Sequence, residues 1–260
     1  MKEKDQAYQD YLAMKKNKGK RPGEEILKEN LKELTQEEKN FYEHQFVQFA
    51  KMRHTGSRVF IMGTGPSVLD IPKTVLDQNI TIGCNGIGNL YHPSYYVICD
   101  PFVYGIHKEV FSQSSSFKIL SAFTKGECDS FVYYKEQNII GLSSDELYSG
   151  SNTGFFMLSI AYLMGATEIY LLGFDGYNSS NNKFHCYNDE GVERERVEYE
   201  WNNSNPEILV FQDAMRFAVK KMQEDKKRLI LVGDSTYLGD IVPKISISDF
   251  IKKMQTGNDN

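Results

Sequence analysis

Val59-Phe-Ile-Met-Gly-Thr-Gly-Pro-Ser67 decides how this chain of 260 residues is read. Four apolar residues in a row, two of them β-branched, describe a strand covered on both faces. A half-exposed strand would alternate polar and apolar positions instead. The run ends in Gly63-Thr-Gly-Pro-Ser67, where glycines allow a tight turn and a close approach of the backbone to a phosphate. The charge of that phosphate would face backbone N–H groups and a helix start. The loop is not the G-x-G-x-x-G fingerprint, because the third glycine is missing and Pro66 sits inside it. It is not a Walker loop either, since no Gly-Lys-Ser/Thr follows. Any tight strand-to-helix turn can look like this; its place in the first strand–helix loop favours a binding role.

Outward from this segment the same texture recurs. Ile80-Thr-Ile82, Tyr95-Tyr-Val-Ile-Cys99, Phe117-Lys-Ile-Leu120, Ile139-Ile-Gly-Leu142, Ile169-Tyr-Leu-Leu172 and Leu229-Ile-Leu-Val232 are short apolar runs, each followed by a turn or a helical pattern. The alternation predicts an α/β, Rossmann-like doubly wound domain with a mostly parallel sheet over residues 58–260. Gly154–Met164 is apolar nearly all round and reads as a central helix, capped by Ser151 or Asn152 and ended by Gly165. A second helix is expected over Ile208–Glu224, with a stripe through Leu209, Met215, Val219 and Met222. The tail Gln255–Asn260 reads as frayed.

Residues 1–57 are rich in Lys, Glu and Gln and read as an N-terminal helical extension. Helical patterns lie near Gln6–Lys15 and Glu24–Lys51, separated by the basic breaker Asn17–Gly23. The second breaks near Thr35, where Thr35-Gln-Glu-Glu38 has the form of a capping box. Phe41, Phe46, Phe49 and Met52 then share a face that would pack on the main domain; the sharper alternative is an arm for homo-oligomers or partners.

Thirty Lys and Arg against thirty-five Asp and Glu give a formal charge of −5. There is thus no global basic field for a nucleic-acid backbone. An apolar fraction of 40% and a charged fraction of 25% suit a globular chain with a sizeable core. No apolar run reaches the roughly 18 residues of a transmembrane helix, and Met1-Lys-Glu-Lys-Asp-Gln6 lacks the apolar stretch of a signal peptide. Cys84, Cys99, Cys128 and Cys186 show no C-x-x-C spacing and read as reduced thiols. The expectation is a cytoplasmic protein.

Polar residues recur where the predicted strands end: Gly83-Cys-Asn85-Gly86, Cys99-Asp100-Pro101 and Gly173-Phe-Asp175-Gly-Tyr177. Carboxyl ends of parallel strands converge on one crevice in open α/β sheets. Asn85 offers a donor and an acceptor for a base or sugar hydroxyl; Asp100 and Asp175 suit ribose hydroxyls or a divalent cation. The bland alternatives are a turn cap for Asp175 and a helix start at Asp100-Pro101. Ser149-Gly-Ser-Asn-Thr153-Gly154 makes an anion-friendly helix start, or an ordinary cap. Phe184-His-Cys-Tyr-Asn-Asp-Glu190 reads as part of a lid. His185 is its candidate general base, against the plainer reading of a solvated histidine. Tyr177 and Tyr187 are candidates to bind a phosphate or assist a leaving group. Glu190–Glu200 alternates charge signs and reads as a solvated face.

Taken together, Gly63-x-Gly-Pro-Ser67, Cys-Asn85, Thr153-Gly154 before an apolar helix, and Gly-Ala-Thr-Glu-Ile-Tyr-Leu-Leu-Gly-Phe-Asp175 resemble the bacterial sialyltransferases that build lipooligosaccharide caps. The same segments resemble the Rossmann-like family of 6-hydroxymethylpterin pyrophosphokinase type. The likeness covers about residues 58–240. The first resemblance implies a glycosyltransferase with a CMP-sugar donor, a glycan or small-molecule acceptor and no required cofactor. Gly63, Thr64, Gly65, Pro66, Ser67 and Asn85 would then hold the nucleotide and Thr153 and Gly154 touch its phosphate or base, with His185 as base and Tyr177 assisting departure of CMP; Asp100 and Asp175 join the nucleotide-binding candidates by their place at strand ends. Thr64 replaces that family's asparagine between the glycines, and Asp100 also stands in place of an asparagine. The second resemblance implies magnesium-dependent transfer of diphosphate from ATP, with Asp100 and Asp175 as metal ligands. A non-catalytic nucleotide- or glycan-binding module is the third possibility.

Overall fold

The computed structural model describes residues 22–134, 139–176, 184–187, 190–195, 198 and 205–256. The predicted helix near Gln6–Lys15, Tyr177 and the last four residues of the tail lie outside them. Among the described residues the strands are β1 (Arg58–Met62), β2 (Ile80–Cys84), β3 (Tyr95–Ile98), β4 (Phe117–Ser121), β5 (Ser130–Val132), β6 (Glu168–Leu172), β7 (Arg228–Val232) and β8 (Lys244–Ile245). They form one sheet in the order β5-β4-β3-β2-β1-β6-β7-β8, and every pair is parallel. Successive strands run outward from β1 to β5, then the chain crosses back to β6 and runs out the other way. The order therefore reverses between β1 and β6, which opens a crevice at the carboxyl ends of these two strands.

The named helices are α1 (Glu24–Asn30), α2 (Gln36–Ala50), α3 (Lys73–Asp77), α4 (Pro101–Gln113), α5 (Thr153–Leu163), α6 (Asn205–Glu224) and α7 (Ile247–Thr256). Side chains alternate across the sheet as the two-residue period requires. Val59 and Ile61 join a core with α2, α5 and α6, while Phe60 and Met62 join a second core with Phe111 of α4 and Phe250 of α7. α5 is apolar all round because it is covered all round: Gly154 through Leu163 are all buried. Ile82 and Ile169 of the sheet, Phe46 and Val47 of α2, and Met215 and Met222 of α6 belong to the same apolar cluster.

Thr35 and Glu38 form the expected capping box: Thr35 Oγ1 accepts from Glu38 N–H at 3.2 Å and Glu38 Oε2 accepts from Thr35 N–H at 2.9 Å. The pattern Glu24–Lys51 is thus two helices, α1 and α2. α1 packs against α4, where a side chain at Gly105 would strike Ile26 and Asn30. The expected apolar face of α2 is only partly correct. Phe46 is fully buried and Phe49 stacks on Phe117 at 4.7 Å, but Phe41 is 59% and Met52 49% exposed. Met52 lies past the end of α2 with φ of 58°, off the helical face.

The strand expected at Ile139–Leu142 is irregular chain; Leu142 nevertheless plugs into the core. The edge strand is Ser130-Phe-Val132 instead, which pairs on one side only and is too short to stand out as an apolar run. All four cysteines are free thiols. Among the described residues no helix is long and apolar enough to cross a membrane.

The burial of α2 is tested by denaturant unfolding. Phe46→Ala is expected to lower stability by about 3–5 kcal/mol through loss of a buried ring. Phe41→Ala should change it by no more than about 0.5 kcal/mol. Equal, small effects at both positions would contradict a shared core.

Candidate functional site

At the switch point the end of β1 is laced to the end of β6. Gly63 N–H donates to Leu172 O at 2.8 Å, Gly65 N–H to Gly173 O at 2.9 Å, and Ser67 N–H to Asp175 Oδ2 at 2.9 Å. A Cβ at Gly63 would lie 2.5 Å from Gly173 O, and one at Gly65 would lie 2.3 Å from Asp175 Oδ2. The glycines are therefore demanded by the approach of two chain segments. This corrects the sequence reading: the N–H groups of Gly63, Gly65 and Ser67 face β6, not a phosphate. Asp175 braces the loop, and neither it nor Pro66 or Ser67 lines the cavity described next. The pairing of Asp100 with Asp175 as metal ligands accordingly gains no geometric support.

A cavity of about 510 Å³ opens over the carboxyl ends of β1, β2, β3, β6 and β7. Gly63, Thr64, Gly65, Asn85, Asp100, Thr153, Gly154 and His185, expected from sequence, all line it. Leu27 of α1, Glu207 and Phe211 of α6, and Ser235 and Tyr237 beyond β7 complete the wall, and no sequence motif had marked them. No Lys or Arg is among the described lining residues. An anion there would be held by hydrogen bonds and backbone dipoles.

Asn85 stands at the start of a short 3₁₀ turn, Asn85–Asn89, with φ of 53°. This left-handed conformation strains residues with a Cβ, and asparagine tolerates it better than most. Its carbonyl accepts from Tyr96 O–H. Its side-chain Oδ1 is buried and has no hydrogen-bond partner. A buried acceptor left so costs about 1–3 kcal/mol, which a ligand N–H or O–H would recover.

Across the cavity, Gly150 and Ser151 both have positive φ, 52° and 58°, and deliver Asn152 as the cap of α5. Asn152 Oδ1 accepts from Gly154 N–H at 2.7 Å, so Asn152, not Ser151, is the cap. The positive end of the α5 dipole faces the cavity at Thr153 and Gly154. Asp100 caps α4 through Phe102 N–H at 2.8 Å while lining the same cavity. The helix-start reading of Asp100-Pro101 and its placement at the site both hold.

His185 sits on the wall, 9% exposed, rather than solvated. Its segment crosses the loops as a strap. Cys186 N–H donates to Thr64 O at 2.7 Å, and the His185 ring stacks on Tyr187 with centroids 4.8 Å apart. The Tyr187 ring lies so close to Gly86 that a Cβ there would come within 2.2 Å of it. Tyr187 O–H donates to Glu193 Oε1 at 2.9 Å, and His107 Nε2 meets the same oxygen at 2.9 Å. Burial pushes the Glu193 carboxyl up, but the hydrogen bond and charge of His107, the Tyr187 hydroxyl and the charge of His185 leave it below the usual carboxylate range. Glu193 is only 9% exposed and is the exception to the reading of Glu190–Glu200 as a solvated face, since Glu190, Glu195 and Glu198 are exposed. Neither Glu193 nor His107 was found from sequence: one lay in a charge run, the other in a helix without a motif. Burial pushes Cys84 and Cys186 up to about 12 and Cys99 well above the usual thiol range, so none of the three is a thiolate nucleophile at neutral pH.

No protein-family model matches the chain, and no curated protein does. Among solved structures it is similar to the sialyltransferase CstII from Campylobacter jejuni in complex with cytidine-5'-monophosphate. The TM-score is 0.47 at 14% sequence identity, covering 73% of this chain and 85% of that one. A second CstII structure, in complex with CMP-3FNeuAc, has a TM-score of 0.46 at 15% identity over 72% of this chain and 86% of that one. Likeness at this level assigns no activity, and the residues of the cavity carry the functional argument.

The loop lacing generates a direct test. Gly65→Ala forces a methyl into Asp175 Oδ2 and Gly173 O, and overpacking of this kind costs about 1–3 kcal/mol. The expected result is a lower melting temperature. An unchanged melting temperature would show that the loops are not in contact.

Proposed function

We propose that the chain is a glycosyltransferase that takes a sugar from a nucleotide-activated donor, CMP-linked by the resemblance of its Gly63–Ser67, Asn85 and Thr153–Gly154 segments. The observation that carries the nucleotide is the buried, orphaned Oδ1 of Asn85, a residue that lines a cavity also lined by Thr153 and Gly154 at the start of α5. An amino group of the base or a ribose hydroxyl would satisfy Asn85, while the α5 N-terminus would take the phosphate.

In the reaction this geometry favours, the acceptor hydroxyl oxygen attacks the anomeric carbon and His185 removes its proton. The bond between that carbon and the phosphate oxygen breaks, and CMP leaves with the electron pair. The α5 terminus faces the charge that develops on the phosphate, which is electrostatic stabilisation by donors already in place. His185 suits the role because an imidazole nitrogen can accept the proton of a hydroxyl bound beside it in the cavity.

A thermal-shift screen of CMP, UDP, GDP and ATP, with and without magnesium, tests the reading, because a ligand of the native state raises the melting temperature. CMP is expected to give the largest shift, unchanged by chelator and lost in Asn85→Gly, which removes the amide without strain at φ of 53°. CMP release from CMP-N-acetylneuraminate should fall about 10²- to 10⁴-fold in His185→Ala. A shift confined to ATP with magnesium would transfer the assignment to a diphosphotransferase. Binding of CMP without turnover would reduce it to a nucleotide-binding module.

A further inference from the structure

Glu193 and His107, both buried, meet half-buried Tyr187 against the His185 ring; of the three only Tyr187 was marked by the sequence, as a candidate for a phosphate or leaving group, and here its hydroxyl is taken by Glu193. The group joins three separate segments at one oxygen. His107 comes from α4, the helix that Asp100 starts at the cavity. Tyr187 comes from the strap, and Glu193 from the helical turn 191–195. A charged carboxylate buried to this degree is costly unless donors satisfy it. Here both donors converge on Oε1, which fixes their mutual geometry.

The Tyr187 ring is held on several sides. Gly86 lies against it, leaving no room for a side chain. The His107 ring meets it edge-on, with centroids 5.4 Å apart at 83°. Its hydroxyl is tied to Glu193. The remaining aromatic contact is His185, stacked at 4.8 Å with the planes 10° apart. The imidazole therefore rests on a platform whose tilt is set by Glu193 and whose height is set by Gly86. Gly86 adjoins Asn85, so the same 3₁₀ turn that presents the orphaned acceptor also supports the base.

We infer that Glu193, acting with His107 through the Tyr187 ring, is a positioning residue that aims the His185 imidazole into the cavity. This rests on the reading of His185 as the general base. His107 and Tyr187 contribute alignment and do not touch the reacting atoms.

The test uses the full chain and the variants Glu193→Gln, Tyr187→Phe and His185→Ala. Tyr187→Phe removes only the hydroxyl and keeps the ring on Gly86, so it reports even if Glu193→Gln fails to fold. For CMP release from CMP-N-acetylneuraminate, Glu193→Gln and Tyr187→Phe should each lose about 10- to 100-fold in kcat, the range seen when partners that orient metal-bound histidines are removed, with KM within about twofold. A change of KM alone would overturn the inference. So would kcat within about twofold of the parent in both variants while His185→Ala is impaired; that result leaves the base intact. An uninhibited His185→Ala would remove the base itself, and the inference with it. Proton NMR of the His185 ring, identified by its loss in His185→Ala, gives a readout independent of turnover. Stacking on Tyr187 shifts its resonances upfield. The shift should move toward the free-imidazole position in Tyr187→Phe and Glu193→Gln, and unchanged resonances in both would overturn the positioning role.

Discussion

Everything at the mouth of this sheet depends on how closely the β1 loop can approach the β6 loop. Gly63 and Gly65 press against the backbone of Gly173, and Asp175 ties Ser67 from the other side. At a switch point, neighbouring connections leave on opposite faces of the sheet, so the two loops need not collide; here they are drawn together and bonded. This sets the floor of the cavity. It also fixes where Thr64 O lies, and Thr64 O in turn anchors the His185 strap through Cys186 N–H. One contact between backbones thus positions residues more than a hundred apart in sequence.

The cavity that results is polar without being basic. Its described wall has the carboxylates of Asp100 and Glu207, the imidazole of His185 and the amide of Asn85, with no Lys or Arg. A phosphate in such a place depends on oriented N–H groups and a helix dipole, which need no counter-charge but demand exact placement. Placement is what the surrounding fold provides. α5 is buried on every side, so its N-terminus cannot drift. Asn85 is held in a left-handed conformation by its own turn, with its carbonyl bound to Tyr96.

Much of this was legible in the sequence because strands buried on both faces show up as uninterrupted apolar runs. Most of the long runs, from Val59–Met62 to Leu229–Val232, are strands; Ile139–Leu142, whose leucine fills the core from irregular chain, is not. Ser130–Val132 escaped because an edge strand of three residues leaves little periodicity. The polar residues Asn85 and Asp100 after strands, and Thr153 at a helix start, were legible by position. What their neighbours do with them was not. A glycine needed for a ligand and a glycine needed for another backbone look alike: the N–H groups of Gly63 and Gly65, expected to face a phosphate, bond Leu172 O and Gly173 O, although both residues still line the cavity. Glu193 was hidden for a related reason. Charge alternation describes a solvated helix unless a distant donor reaches one of the charges, and His107 lies 86 residues away. Long-range pairing of this kind has no local signature.

Under the proposed function the strand ends form one receptacle for a phosphorylated nucleoside, with Asn85 as the acceptor that reads it. A crystal structure of the full chain soaked with CMP tests it most directly. The account predicts the nucleotide in the cavity, a donor of the base or ribose within about 2.7–3.2 Å of Asn85 Oδ1, and the phosphate at the start of α5. CMP bound elsewhere, or in the cavity with Asn85 Oδ1 still unpaired, would contradict it.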